Sequence, residues 1–132
     1  MGNLQKAYHK AKTGKSHSWG VQLFEKDLEN NLICLQNELI TSEYRTSEYK
    51  TFTINDPKER LISSLPFRDR VVHHAIMNII EPIWTSIFIS HTYSCIKGRG
   101  IHGAVKHLKR DLKDTYNTKY CLKMDVRKFY PS

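Results

Sequence analysis

The chain has 132 residues, enough for one ordinary domain with a core of its own. Apolar residues make up 39% and charged residues 26%, a globular balance that excludes a disordered or low-complexity chain. Lys and Arg total 21 against 13 Asp and Glu, a formal charge of +8, and a field of that sign attracts polyanions, of which nucleic acid is the commonest.

No apolar run approaches the roughly 18 to 20 residues that span a bilayer, so no membrane partner is expected. The start, Met1-Gly2-Asn3-Leu4-Gln5-Lys6, lacks the apolar stretch of a signal peptide. Cys34, Cys95 and Cys121 are odd in number and widely spaced, which fits neither a disulfide framework nor a zinc site. The expected compartment is therefore the reducing cytoplasm.

Residues 1 to 20 are basic and polar, with Lys6, His9, Lys10, Lys12, Lys15 and His17. They read as a short helix or a loose arm suited to a phosphate backbone. From about Val21 to Ile40, Leu28, Leu32, Leu35 and Leu39 recur at helical steps and predict a core-packing helix. Thr41-Ser42-Glu43-Tyr44-Arg45 is then echoed by Thr46-Ser47-Glu48-Tyr49-Lys50, a period too short for a repeat fold.

Phe52 and Ile54 alternate with Thr51 and Thr53, the period of a strand. Asn55-Asp56-Pro57-Lys58 is turn chemistry, and Arg60 to Leu65 reads as the returning strand of a β-hairpin. After Pro66, the sequence Arg68-Asp69-Arg70 opens a long helix, with Val72, Ile76, Ile79, Ile80, Ile83 and Ile87 as its apolar face. Asp69 fits there as a first-turn acid facing the helix dipole. Pro82 is expected to kink or divide the helix. His73 and His74 are adjacent, so on a helix they point about 100° apart and cannot chelate one ion together.

The loop Lys97-Gly98-Arg99-Gly100 pairs cations with a pliant backbone suited to phosphate, although it lacks Walker spacing. A further amphipathic helix is expected from Ile101 or His102, with Val105, Leu108 and Leu112 apolar and Lys106, Lys109, Arg110 and Lys113 basic. Lys119 to Val126 alternates like a strand. No linker divides the chain. The fold class expected is α+β, with helices packed around the hairpin.

Four stretches in this order carry a resemblance: Tyr49 to Ile54 with Arg60-Leu61-Ile62; Leu65 to Ile76 running on to Glu81-Pro82-Ile83; Tyr93 to His102 with Ala104, Leu108 and Leu112; and Tyr120 to Ser132, containing Lys123-Met124-Asp125-Val126. Together they resemble bacterial reverse transcriptases of the group II intron, retron and diversity-generating retroelement type. The Pro66-Phe67-Arg68-Asp69-Arg70 wording and the short hairpin turn lean toward the last of these.

The resemblance implies a fingers region with an N-terminal extension over residues 1–118, and the first strand of a polymerase palm over 119–132. It implies Asp125 as the first catalytic carboxylate, holding Mg²⁺ with the Val126 carbonyl in a two-ion site. Tyr130 would lie under the incoming sugar. Arg60 matches the second cation that grips the nucleotide triphosphate. Where the family has an Ile-Pro-Lys-like segment this chain has Ile54-Asn55-Asp56, and Lys58 is the substitute candidate. Arg68, Arg70, Lys97, Arg99, Lys106, Lys109 and Arg110 are candidates for contact with nucleic-acid phosphates. The implied partners are an RNA template, a DNA primer, a deoxynucleoside triphosphate, and the remainder of the palm with its thumb.

The sequence has no Asp-Asp pair, so the expectation is an N-terminal piece that does not polymerise by itself. Two other readings stand beside the enzyme. One is a non-catalytic RNA-binding module on a polymerase-like scaffold; the other is an unrelated basic helical protein. The presence of Asp125 and Tyr130 favours the enzyme, because an RNA binder has no chemical need of either.

Overall fold

Helix α1 (Gly2–Lys12) opens the chain and buries Leu4, Ala7, Tyr8 and Ala11, one face at three- and four-residue steps. The basic N-terminus is thus a core helix with cations on its outer side, not a loose arm. The computed structural model describes residues 1–127, which form two compact units, Met1–Ser86 and from Ile87 onward.

The helix expected over 21 to 40 is two helices, α2 (Trp19–Glu25) and α3 (Leu28–Ile40). They part at Asp27, whose backbone (φ −142°, ψ 56°) leaves the helical region. Asn31 holds the corner by donating its side-chain amide to the Phe24 carbonyl at 3.0 Å. That bond satisfies a carbonyl the end of α2 would otherwise leave open. Leu32 and Leu35 are buried, Leu28 packs at the edge of the core, and Leu39 is 39% exposed.

Strands β1 (Lys50–Asn55) and β2 (Glu59–Ser64) form the expected antiparallel hairpin, in register from Lys50 opposite Ser64 to Asn55 opposite Glu59. Helix α4 (Phe67–Ile87) follows and runs unbroken past Pro82. Thr85 and Ser86, just beyond the proline, donate their hydroxyls back to the carbonyls of Glu81 and Ile83 at 2.9 and 2.7 Å. Phe67, Val71, Val72 and Ala75 of α4 join the core. The rings of Tyr8, Phe24 and Phe67 meet there, with Phe24 and Phe67 edge to face at 5.3 Å between centroids.

Of the apolar stripe expected along α4 only Val72 is buried, the buried face being Phe67, Val71, Val72 and Ala75, and Ile76 is already 48% exposed. Ile79, Ile83 and Ile87 are 61%, 59% and 74% exposed. The reason is length. Helix α1 spans ~16 Å against ~31 Å for α4 at 1.5 Å per residue, and the Asn3 bridges to Ala75 and Asn78 mark how far its cover extends.

In the second unit, α5 (Ile101–Asp111) starts where expected and buries no residue. Residues 119 to 126, expected as a strand, have no pairing partner: among the described residues the sheet is β1 with β2 and nothing more. A strand exists only through its ladder. Tyr120, Leu122 and Met124, the apolar residues of that alternation, are more than 80% exposed. The described residues thus contain five helices and one hairpin, the α+β class expected.

Asp69 has a larger part than a first-turn acid. It is fully buried and accepts the Tyr44 hydroxyl at 2.6 Å and the Ser47 backbone N–H at 3.2 Å. Arg68 beside it pairs with Glu38 and lies over the Tyr44 ring, 5.6 Å from its centroid. Burial pushes the Asp69 carboxyl up. The bonds from Tyr44 and Ser47, with the Arg68 charge, outweigh burial and hold it below the usual carboxylate range. The Tyr44 hydroxyl is pushed up to about 12 by burial and by its bond to Asp69.

A depressed carboxyl contributes stability that is present above its unfolded value and is lost as pH falls through the folded value. Asp69→Asn should therefore lower unfolding stability at neutral pH by about 1.5–3 kcal/mol, the range for hydrogen bonds to a charged group. It should also flatten the loss of stability below about pH 4, where an unfolded aspartate protonates. Urea unfolding over a pH series checks both, and an unchanged midpoint at neutral pH would contradict the assignment.

Candidate nucleic-acid interface

The hairpin displays its cations in full solvent. Its loop is Asp56-Pro57-Lys58, closed by the Asp56 N–H donating to the Lys58 carbonyl at 3.3 Å. Arg60 stands opposite Ile54, and residues opposite one another in a ladder share a face. That face carries Lys50, Phe52, Ile54, Arg60, Ile62 and Ser64, so cations stand at either end of an apolar group that is exposed except for the half-buried Ile62. Lys58 and Arg60 sit at the tip of the hairpin. Lys50 lies at its base.

Arg68 and Arg70 occupy the first turn of α4, as expected from the sequence, but their surroundings differ. Arg68 is committed to Glu38 and to the Tyr44 ring. Arg70 has no carboxylate partner among the described residues. Burial lowers the His74 pKa, helped by the nearby cations Arg70 and Lys10, so this ring is held toward its neutral form.

In the second unit the loop before α5 is a defined turn. The Arg99 N–H donates to the Ile96 carbonyl at 3.0 Å, and Gly98 takes φ +81°, a left-handed conformation that suits glycine. Arg99 is anchored further by its guanidinium, 3.4 Å from the Ile89 carbonyl. Gly100 accepts the N–H groups of Gly103 and Ala104 and so starts α5. Tyr93 bonds His107 through its hydroxyl, and its ring lies so near Gly103 that an added Cβ would stand 3.6 Å from it. Lys97 projects from the turn, while Lys106, Lys109 and Arg110 stand at helical steps on α5. Arg110 lies 3.4 Å from Asp111.

The side chain of Asp125 is exposed, as is Val126. Tyr130 lies outside the described residues. Mg²⁺ takes oxygen ligands and typically one or two carboxylates, so Asp125 fits as a donor. Among the described residues no group of three or more His, Cys, Asp or Glu comes together. Asp125 is thus a single candidate donor among the described residues, short of a complete two-ion set. No described helix is long and apolar enough to cross a membrane, and the three cysteines are free and exposed.

Two features went unread in the sequence. The Tyr44–Asp69 bond joins residues 25 apart, and no local pattern announces it. The cluster of His91, Tyr93 and His107, with ring centroids 5.1 to 6.4 Å apart, likewise joins a loop to a helix without a spacing signature.

No family model matches the chain. Among curated proteins it is 28% identical over 99 residues to Protein YkfC of Escherichia coli (strain K12), a match covering 74% of this chain and 26% of that protein. It is 25% identical over 97 residues to nuclear intron maturase 2, mitochondrial, of Arabidopsis thaliana, covering 61% of this chain and 13% of that one. The similarity is distant and partial, and the chain spans only a minor part of either relative's length.

Proposed function

We propose that this chain is part of a reverse-transcriptase-like protein, an RNA-directed DNA polymerase, to which it contributes the fingers over 1–118 and the opening of the palm over 119–132. What carries the reading is the distant similarity to an intron maturase in a chain whose four motif stretches stand in the family's order. The exposed hairpin with Lys58 and Arg60 at its tip supports it, since a guanidinium fork suits a polyphosphate.

In this reading Arg60 and Lys58 bind the triphosphate of a deoxynucleotide, and Tyr130 discriminates at the sugar. Asp125 offers its carboxylate to Mg²⁺, with the Val126 carbonyl beside it. Two such ions, when bound, supply electrostatic stabilisation of the transferred phosphoryl group. RNA template and DNA primer are held through phosphates by Arg70, Lys97, Lys106 and Lys109, with Arg68, Arg99 and Arg110 contributing less because each already has a partner in the fold.

That ranking has a measurable consequence. Changing Lys97, Lys106 and Lys109 to Gln together should reduce the log–log salt slope of single-stranded RNA binding by about 2, at about 0.7 for each phosphate no longer neutralised. Changing Arg68 and Arg110 to Gln should alter it far less. An equal effect per cation removed, in filter-binding titrations over a salt series, would overturn the ranking.

The function itself is tested by primer extension on an RNA template with Mg²⁺ and deoxynucleotides, using the reading frame that contains this chain. Extension by the parent and none by Asp125→Ala is the expected result. Arg60→Gln should raise the nucleotide KM by about 10- to 100-fold, since a charged hydrogen bond is worth about 1.5–3 kcal/mol. Equal extension by the parent and Asp125→Ala would remove Asp125 from the chemistry. Salt-sensitive RNA binding with no extension by the parent would favour a non-catalytic RNA-binding module.

A further inference from the structure

The first unit contains a cavity of about 650 Å³ between α2, α3, the base of the hairpin and the start of α4. That volume falls within the roughly 300–1,000 Å³ of small-molecule sites. Its floor is apolar, with Leu23, Phe24 and Phe67. Trp19 stands in its wall and is 73% exposed, a large aromatic face that the fold leaves uncovered.

Lys50, Arg68, Arg70 and Glu38 also line the cavity. Arg68 and Glu38 neutralise one another, which leaves Lys50 and Arg70 without a carboxylate partner among the described residues. The backbone of both is fixed by the fold. Lys50 is held opposite Ser64 by the ladder, and Arg70 directly follows the buried Asp69 in the first turn of α4. The site therefore combines an uncovered indole, an apolar floor and two uncompensated cations.

A nucleotide has the matching chemistry, with a flat π-face on the base and a negative charge on the phosphate. An acidic peptide offers the charge without the flat face. An apolar ligand leaves the two cations unanswered. Proteins that hold single strands commonly use such a pairing of stacking aromatics with a basic track. The formal charge of +8 supplies long-range attraction for a polyanion.

We propose that this cavity seats one nucleotide of a single-stranded RNA, its base against Trp19 and its phosphate between Lys50 and Arg70. The proposal rests on the RNA-acting function above and adds a site that the polymerase motifs do not include. Trp19 and Lys50 supply stacking and charge, respectively, and Arg70 gains a specific place within the site.

The test uses the full chain carrying Trp84→Phe, which leaves Trp19 as the sole tryptophan. A single-stranded RNA of roughly eight nucleotides is the probe, within the span such sites occupy. RNA should quench Trp19 fluorescence. Trp19→Ala, followed by the anisotropy of labelled RNA, should weaken binding about tenfold. Lys50→Gln and Arg70→Gln should each lower the salt slope by about 0.7. All three residues lie outside the buried core, and circular dichroism verifies that the variants remain folded.

Salt-dependent RNA binding that none of the three variants alters would overturn this site while leaving the RNA-acting function standing. Absence of RNA binding by the parent would overturn this site, and absence of RNA binding also by the reading frame that contains the chain would overturn the RNA-acting function. Mononucleotide binding as tight as that of the oligonucleotide would overturn the assignment to a strand. Quenching by a polyglutamate peptide but not by RNA would assign the cavity to an acidic protein segment instead.

Discussion

A carboxylate taken wholly out of water must be repaid by hydrogen bonds and charge, or it protonates or unfolds the region around it. One carboxylate oxygen of Asp69 meets that condition by accepting from Tyr44 and Ser47, with the Arg68 charge beside it, and in doing so it fixes two parts of the first unit to one another. Tyr44 comes from the first half of the five-residue echo and Ser47 from the second. Together they fasten the segment entering β1 to the first turn of α4, the element that follows β2. The hairpin is otherwise exposed along its length, so this connection at its base limits the directions in which Lys58 and Arg60 can be presented.

The same constraint accounts for how Arg68 and Arg70 divide their work. Arg68 is engaged by Glu38 and the Tyr44 ring beside the buried Asp69, while Arg70 has no carboxylate partner among the described residues. Two neighbouring arginines of the same helical turn thereby acquire different roles. The first unit's core, gathered around Tyr8, Phe24 and Phe67, supplies the rigid backing for both. A binding constellation held by packed elements is more precise than one resting on loops. In the second unit the order is local instead, a glycine turn and a Tyr93–His107 bond around a helix that buries none of its residues.

Much of this was legible along the chain because it is local. The hairpin follows from alternation and an Asn-Asp-Pro turn, and the start of α5 follows from Gly100 and the periodicity after it. Other elements were concealed by composition. Helix α1 packs on Ala7 and Ala11, small residues scattered among lysines, so its apolar face is faint against its charge. The break at Asp27 lies within a stripe of leucines that keeps helical spacing on either side of it. The Tyr44–Asp69 bond and the Trp19 cavity depend on residues far apart in sequence, and no period or motif reports such contacts. The strand read over residues 119 to 126 shows the converse. Alternation states a capacity to pair, and without a neighbouring strand that capacity is not realised.

The proposed recognition of nucleic acid would unite these surfaces in one account, since cations beside exposed apolar faces recur on the hairpin, at the cavity and on α5. Amide hydrogen exchange of the chain, with and without a saturating RNA template annealed to a DNA primer, tests that account most directly. The account predicts slowed exchange over residues 50 to 64 and around the turn at 96 to 100, with the buried face of α1 unchanged. Exchange unaltered at those segments while the nucleic acid is demonstrably bound would contradict it.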